Sequence, residues 1–191
     1  MDGPPREYYV PCELTALGAG DIVPGRGGVT CVGPASLGRA ACLWLRSAIR
    51  VQELLAEFDV DVQDDLYDGV KAVAWERLMG PDHTLAVDAT VRDGVITHSG
   101  WAALRVKDAV CDRIRESSGG RRPSVHKTQP DVPLKLLIKG TTARLYRDLA
   151  GASLHKRGYR PIQVKSPLNE ATAAGLLLLA GYDGGGHFID P

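Results

Sequence analysis

The stretch from Trp101 to Ser117 constrains the fold more than any other part of the chain. Val106, Val110 and Ile114 recur every four residues, so they line one face of an α-helix. Arg105, Asp108, Asp112 and Arg115 lie three or four apart, a spacing that allows ion pairs along the helix surface. Gly119-Gly120 closes it. A long amphipathic helix needs an apolar surface to cover, and the following residues offer one. Leu134 to Ile138 and Ala143 to Leu149 read as two strands joined by a turn at Gly140, which is a hairpin signal.

The other segments read less sharply. Tyr8-Tyr9-Val10 reads as a short strand before Pro11, and Glu13 to Leu17 as a single helical turn ended by Gly18. Gly25 to Gly28 is a turn and Val29 to Val32 a strand. Ala35 to Leu45 has helical character, with Leu37, Ala41, Trp44 and Leu45 spaced for one face. Val51 to Val60 is ambiguous. Val51, Leu54, Leu55 and Phe58 fit a helix, while Phe58, Val60 and Val62 alternate as in a strand. Leu66 to Met79 reads as one amphipathic helix with Leu66, Val70, Val73 and Leu78 inward. Asp64, Asp65 and Asp68 suit the positive end of its dipole, and Gly80-Pro81 stops it. Thr84 to Val91 alternates as a strand. Ser166 and Pro167 suit an N-cap and first position of a helix running to about Ala180. His187 to Ile189 reads as the start of a strand. Strands alternating with helices argue a mixed α/β or α+β fold, and pattern alone leaves both open.

At 191 residues the chain suits one or two small domains. The longest apolar run, Leu176 to Ala180, falls far short of the ~18 residues of a membrane span. The start, Met-Asp-Gly-Pro-Pro, lacks the basic and apolar regions of a signal peptide. A cytoplasmic protein without membrane contact is the expectation. Cys12, Cys31, Cys42 and Cys111 form no CxxC pair and no zinc spacing with histidine, so they read as reduced thiols and no metal is expected. His83, His98, His126, His155 and His187 form no recognisable catalytic set. The carboxylate pair Asp64-Asp65 is explained by capping.

The formal net charge is zero, but it is unevenly spread. Residues 1–100 carry 8 basic against 15 acidic side chains, residues 101–165 carry 15 against 5, and residues 166–191 carry 0 against 3. A strongly basic middle is an electrostatic footprint for a polyanion. Lys107 lies on the long helix, Arg121, Arg122 and Lys127 just beyond it, and Lys156, Arg157 and Arg160 in a later cluster. Tyr159 and His155 interleave with those last cations and could stack on an unpaired base. A solvated basic surface remains the alternative. Gly184-Gly185-Gly186 precedes the final strand, the wrong side for a phosphate cradle, and reads as a connector.

Several of these segments resemble one family. Cys42-Leu-Trp-Leu-Arg-Ser-Ala-Ile-Arg50 is similar to the stretch leading into a THUMP domain, and Leu66-Tyr67 with Trp75 to that domain's first helix. Ala103-Leu-Arg-Val-Lys-Asp-Ala-Val110, Gly120-Arg-Arg-Pro-Ser-Val125 and Pro130-Asp131-Val132 resemble its later elements. Asp148-Leu-Ala-Gly-Ala-Ser-Leu-His-Lys-Arg-Gly-Tyr-Arg160 and Pro167-Leu-Asn-Glu170 resemble the passage into a methyltransferase domain. In this order they resemble the THUMP-domain guanine-N2 methyltransferases of large-subunit ribosomal RNA, over roughly residues 40–191.

The resemblance implies an α+β fold with an abbreviated ferredoxin-like lobe at 1–48 and a THUMP domain at 49–152. A basic linker at 153–165 follows, then, at 166–191, the first helix and strand of a class I methyltransferase domain. It implies structured RNA as partner, ribosomal RNA first and tRNA as the alternative. Lys107, Arg121, Arg122, Lys127, Lys156, Arg157, Tyr159 and Arg160 become its contacts. It implies S-adenosylmethionine for the full-length family, with Asn169, Glu170, Asp190 and Pro191 near the cofactor. The chain ends where a Gly-rich cofactor loop would begin, and the later Asn/Asp-Pro-Pro-Tyr motif is absent. The chain is therefore expected to be inactive alone and to hold no cofactor tightly, with the rest of the methyltransferase domain missing. A stand-alone RNA-binding module is the competing reading.

Overall fold

A computed structural model of the chain describes residues 9–25, 27–158 and 167–189. In chain order the first elements are α1 (Tyr9–Ala16), β1 (Gly20–Gly25), β2 (Gly28–Val32), α2 (Ala35–Trp44) and β3 (Gln52–Asp59). Then come α3 (Gln63–Lys71), a 3-10 turn at Trp75–Arg77, β4 (Thr84–Arg92) and α4 (Ser99–Ser117). β5 (Ser124–Val125), β6 (Val132–Lys139), β7 (Thr142–Asp148) and α5 (Glu170–Leu179) complete the set. The fold is mixed α/β. The chain divides into two compact units. Unit 1 combines Met1–Val51 with Ala152–Pro191, and unit 2 is Gln52–Gly151.

Unit 2 is built on a five-stranded sheet in the order β3-β7-β6-β4-β5. β7 runs antiparallel to both β3 and β6, and β4 lies parallel to both β6 and β5. β6 shows why the sheet has one dry face. Val132, Leu134, Leu136 and Ile138 are buried, and the residues between them are not, which is the period of two of a half-covered strand. α4 closes this face, with Val106, Val110 and Ile114 fully buried as their spacing predicts. α3 packs beside α4. Polar groups tie the two helices. Tyr67 donates its hydroxyl to Asp112 Oδ2 at 2.8 Å, and Arg105 pairs with Asp64 at 2.9 Å. Of the expected pairs along α4, Arg115–Asp112 forms at 3.1 Å. Arg105 instead reaches across to α3, where its guanidinium lies 4.5 Å from the centre of the Tyr67 ring.

Unit 1 holds a smaller core of Leu14, Ala41 and Leu45, with Val10, Leu17, Ile22 and Val29 packed around it. β1 and β2 form an antiparallel hairpin closed at Gly25 and Gly28, and Gly27 supplies the positive φ of 85° that the turn needs. Glu13 clamps the turn after α2. Its carboxylate accepts from the amides of Arg46 and Ser47 at 3.0 Å each, from the Ser47 hydroxyl and from Arg46 Nε.

Four sequence expectations are corrected. The strand at 8–10 is instead helix from Tyr9; Tyr8 lies outside the described residues. Pro11 is the third residue of α1, in the first turn, where no N–H would have an intrahelical partner. The helix expected over Leu66 to Met79 ends at Lys71. Trp75 turns into the core, fully buried, and its indole N–H donates to the Val70 carbonyl at 2.8 Å. The last helix begins at Glu170, because Asn169 caps it, and Pro167 stays outside; Ser166 lies outside the described residues. Residues 187–189 form no strand. The ambiguous segment resolves as β3, whose pairing with β7 its alternation permits.

Candidate nucleic-acid interface

The cations of the basic middle segment are not equally available. On α4, Lys107 pairs with Asp108 at 2.6 Å, Arg113 with Glu76 at 3.0 Å, and Arg105 and Arg115 as above. On the sheet, Lys135 pairs with Asp88, Arg144 with Glu57 and Arg147 with Glu53. Much of the formal excess is therefore neutralised locally. Among the described residues, Arg122, Lys127 and Lys156 are exposed and form no ion pair.

Arg121, Arg122 and Lys127 flank β5, the edge strand. The parallel pairing of β5 with β4 brings residues 82–85 against 121–126. Ser124 N donates to the His83 carbonyl at 3.3 Å, and His126 N to that of Leu85 at 3.1 Å. Arg121 pairs with Asp82. His83 and His126 thereby join this edge. Each accepts a backbone N–H at Nδ1, from Gly80 at 3.1 Å and from Gln129 at 3.0 Å. These bonds engage Nδ1 of each ring with its own loop. Neither histidine stood out in the sequence, because only the strand register brings them to the basic loop.

The loop is anchored by Asp131. Its Oδ2 accepts from Thr84 N at 2.8 Å and from Thr84 Oγ1 at 2.7 Å. Those bonds, the hydroxyl's foremost, hold its carboxyl below the usual range. Asp131 is the central residue of the Pro130-Asp131-Val132 motif, and its role here is to fasten the start of β6 to the start of β4.

In unit 1, Lys156 is exposed, and Arg157 donates from Nη1 to the Leu43 carbonyl at 3.1 Å and from Nη2 to that of Leu45 at 2.8 Å. Tyr159 and Arg160 lie outside the described residues, as do Asp190 and Pro191. Asn169 Oδ1 accepts from Ala171 N at 2.9 Å and Thr172 N at 3.4 Å, which commits it to capping α5. Glu170 lines a cleft of about 190 Å³ with Arg46, Leu154, His155, Arg157 and Ala174. Of the cofactor residues expected from the sequence, the described residues include these two, Asn169 and Glu170. No group of three or more His, Cys, Asp or Glu that could hold a metal occurs among them. None of their helices is long and apolar enough to cross a membrane.

Comparison with known proteins gives these units their family. Residues 62–148 match the THUMP domain, and residues 7–52 match the RlmL ferredoxin-like domain. A ribosomal RNA large subunit methyltransferase K/L from Syntrophotalea carbinolica is 46% identical over 94% of this chain. The chain carries an RlmL ferredoxin-like domain followed by a THUMP domain. It spans about a quarter of the length of the curated relatives it matches, 26% in the Syntrophotalea case. The THUMP match falls within unit 2 and takes in α3, α4 and the basic edge at β5. Two solved structures share the fold. One is described as a predicted N6-adenine-specific DNA methylase from Listeria monocytogenes. It is 30% identical, with a TM-score of 0.81 over 92% of this chain and 46% of its own. The other, a putative methyltransferase complexed with SAH, is 26% identical, with a TM-score of 0.82 over 93% and 46%.

Proposed function

We propose that this chain binds structured RNA and serves as the RNA-targeting part of an S-adenosylmethionine-dependent guanine-N2 methyltransferase of 23S ribosomal RNA. The observation that carries this reading is the THUMP match over 62–148. The exposed cations Arg122 and Lys127 within it, and Lys156 beyond it, support it. Cations without an internal partner can neutralise phosphates and release counterions, which supplies most sequence-independent affinity. Arg121, with one exposed partner, exchanges it for a phosphate at small cost. Lys107, held by Asp108, contributes less. Arg157, Tyr159 and Arg160 extend the contact from the second segment.

In this reading the chain by itself transfers no methyl group. Its sequence holds no G-x-G-x-x-G run between a strand and a helix, one form of the element that brings backbone N–H groups to such a cofactor. S-adenosylmethionine belongs to the full-length family, and its methyl group would be supplied outside these residues. The protein works in the cytoplasm, where ribosomal RNA is modified.

The test is a binding titration with a structured 23S ribosomal RNA fragment, a tRNA and a duplex DNA at two salt concentrations. Salt-dependent binding to the ribosomal fragment is expected. Each of Arg122→Ala and Lys127→Ala should lower the slope of log affinity against log salt by about 0.7–0.9. Tighter binding to tRNA would reassign the substrate. No binding at low salt would leave the basic edge as plain surface.

A further inference from the structure

Unit 1 exposes an indole beside fixed positive charge. Trp44 ends α2 and is 68% exposed, next to Leu43 at 70%. The inward side of the helix is already filled by Leu37, Ala41 and Leu45, all buried, so Trp44 is not needed for the core. Tryptophan is highly buried on average, and one this exposed is an informative exception.

Arg157 is anchored to the backbone on either side of it. Its two Nη groups donate to the carbonyls of Leu43 and Leu45, the residues on either side of Trp44. The guanidinium therefore sits at the C-terminal end of α2, where it offsets the negative pole of the helix dipole. Lys156 adds an exposed ammonium with no ion pair among the described residues. Arg157 also lines the 190 Å³ cleft, with Arg46 and His155 supplying cationic or donor groups and Glu170 one carboxylate.

An exposed aromatic face next to anchored cations matches one ligand class, a nucleotide unit of a single strand. Its base stacks on the ring while its phosphate meets the charge. Stacking requires the base to be unpaired, as in RNA loops and ends. We infer that Trp44 is a stacking platform for an unpaired base of bound RNA, with Arg157 and Lys156 meeting the adjoining phosphate. The inference rests on the RNA-binding reading above and names a contact in unit 1, outside the THUMP match.

The experiment compares a ribosomal RNA hairpin carrying a single-stranded extension with the same hairpin made blunt. Affinity and tryptophan emission are followed together. Trp75 is fully buried, so its emission is shielded from the added RNA, and Trp101, half-buried on α4, is replaced by Phe in every protein compared. The extended RNA should quench emission of the chain that keeps Trp44, and Trp44→Ala should abolish that quench. Trp44→Ala should also weaken the extended RNA about tenfold or more while leaving the blunt hairpin unchanged, as expected for one lost base–aromatic stack. Trp44→Phe, which keeps a π face, should restore most of the affinity. Unchanged affinity of Trp44→Ala for the extended RNA overturns the inference and leaves the RNA-binding reading standing. Absence of binding to either RNA by the unsubstituted chain overturns both. A Trp44 emission shift that follows protein concentration without RNA assigns the ring to contact with a second copy, and also overturns it.

Discussion

Asp131 and Thr84 exchange three hydrogen bonds. The aspartate's Oδ2 accepts from the threonine amide and hydroxyl, and its own amide donates back to Thr84 Oγ1 at 3.0 Å. This reciprocal pair fixes where the basic loop between α4 and β6 ends. Asp131→Ala should lower the urea midpoint at an unchanged m-value, because it removes an anchor without altering the buried area. It should also weaken RNA binding, although residue 131 carries no positive charge. Unaltered affinity would detach the clamp from the interface.

Glu13 predicts a pH dependence in unit 1. Burial pushes its carboxyl up, but bonds from the Ser47 hydroxyl, the Arg46 and Ser47 amides and the Arg46 side chain outweigh burial and leave it below the ordinary value. A lowered folded pKa means the native state binds fewer protons than the unfolded chain. The stabilisation is then complete above the unfolded value and is lost as pH falls through the folded one. Glu13→Gln should cost about 1–2 kcal/mol near neutral pH. Urea titrations of both proteins should converge in acid. A constant gap at all pH values would contradict the assignment.

The core of unit 2 offers a contest between two known effects at Gly69, inside α3. Alanine is a better helix former than glycine by about 1 kcal/mol. A Cβ at this position would, however, lie 2.4 Å from the Phe58 ring, on β3. Overpacking of this kind costs about 1–3 kcal/mol. Gly69→Ala should therefore destabilise, and in a Phe58→Ala background the same change should become neutral or stabilising. Thermal melts of the four proteins in this cycle decide it.

Trp75 should matter far more than its neighbours in sequence. Trp75→Phe leaves the Val70 carbonyl without its indole donor and the pocket underfilled, at about 2–4 kcal/mol. A loss below about 0.5 kcal/mol, the range of surface changes, would show that the site repacks freely.

Lys156 and Arg157 are neighbours with different duties. Lys156→Ala should reduce RNA affinity and leave the unfolding midpoint where it was. Arg157→Ala should reduce both, since it also strips the C-terminal carbonyls of α2 of two charge-assisted donors. Equal midpoints for the two variants would count against the capping role.

Legibility in the sequence followed the range of the forces involved. α4 was readable because Val106, Val110 and Ile114 carry their own period, and the β6–β7 hairpin because Gly140 marks its turn. Periodicity overextends α3, since the inward turn of Trp75 depends on the Val70 carbonyl. Ser166-Pro167 is a strong local signal for a helix start, yet Asn169 is the residue that bonds the first-turn amides of α5. The basic loop was legible as charge, whereas the pairing that neutralises Lys107, Arg105 and Lys135 was not. The histidines at the β5 edge and the Thr84–Asp131 clamp depend on contacts between segments about forty residues apart, and no local pattern encodes them.

The division of the chain has a consequence for synthesis. Unit 2 is continuous, so its first and last strands in sequence, β3 and β7, can pair as soon as residue 148 has left the ribosome. Unit 1 draws on both ends of the chain, and its two segments meet where Leu154 N donates to the Ile49 carbonyl. Its first 51 residues must wait, translated but incomplete, while the next hundred emerge. The small core around Leu14, Ala41 and Leu45 is thus the part most exposed to nascent-chain chaperones, and slowed translation should endanger unit 1 before unit 2.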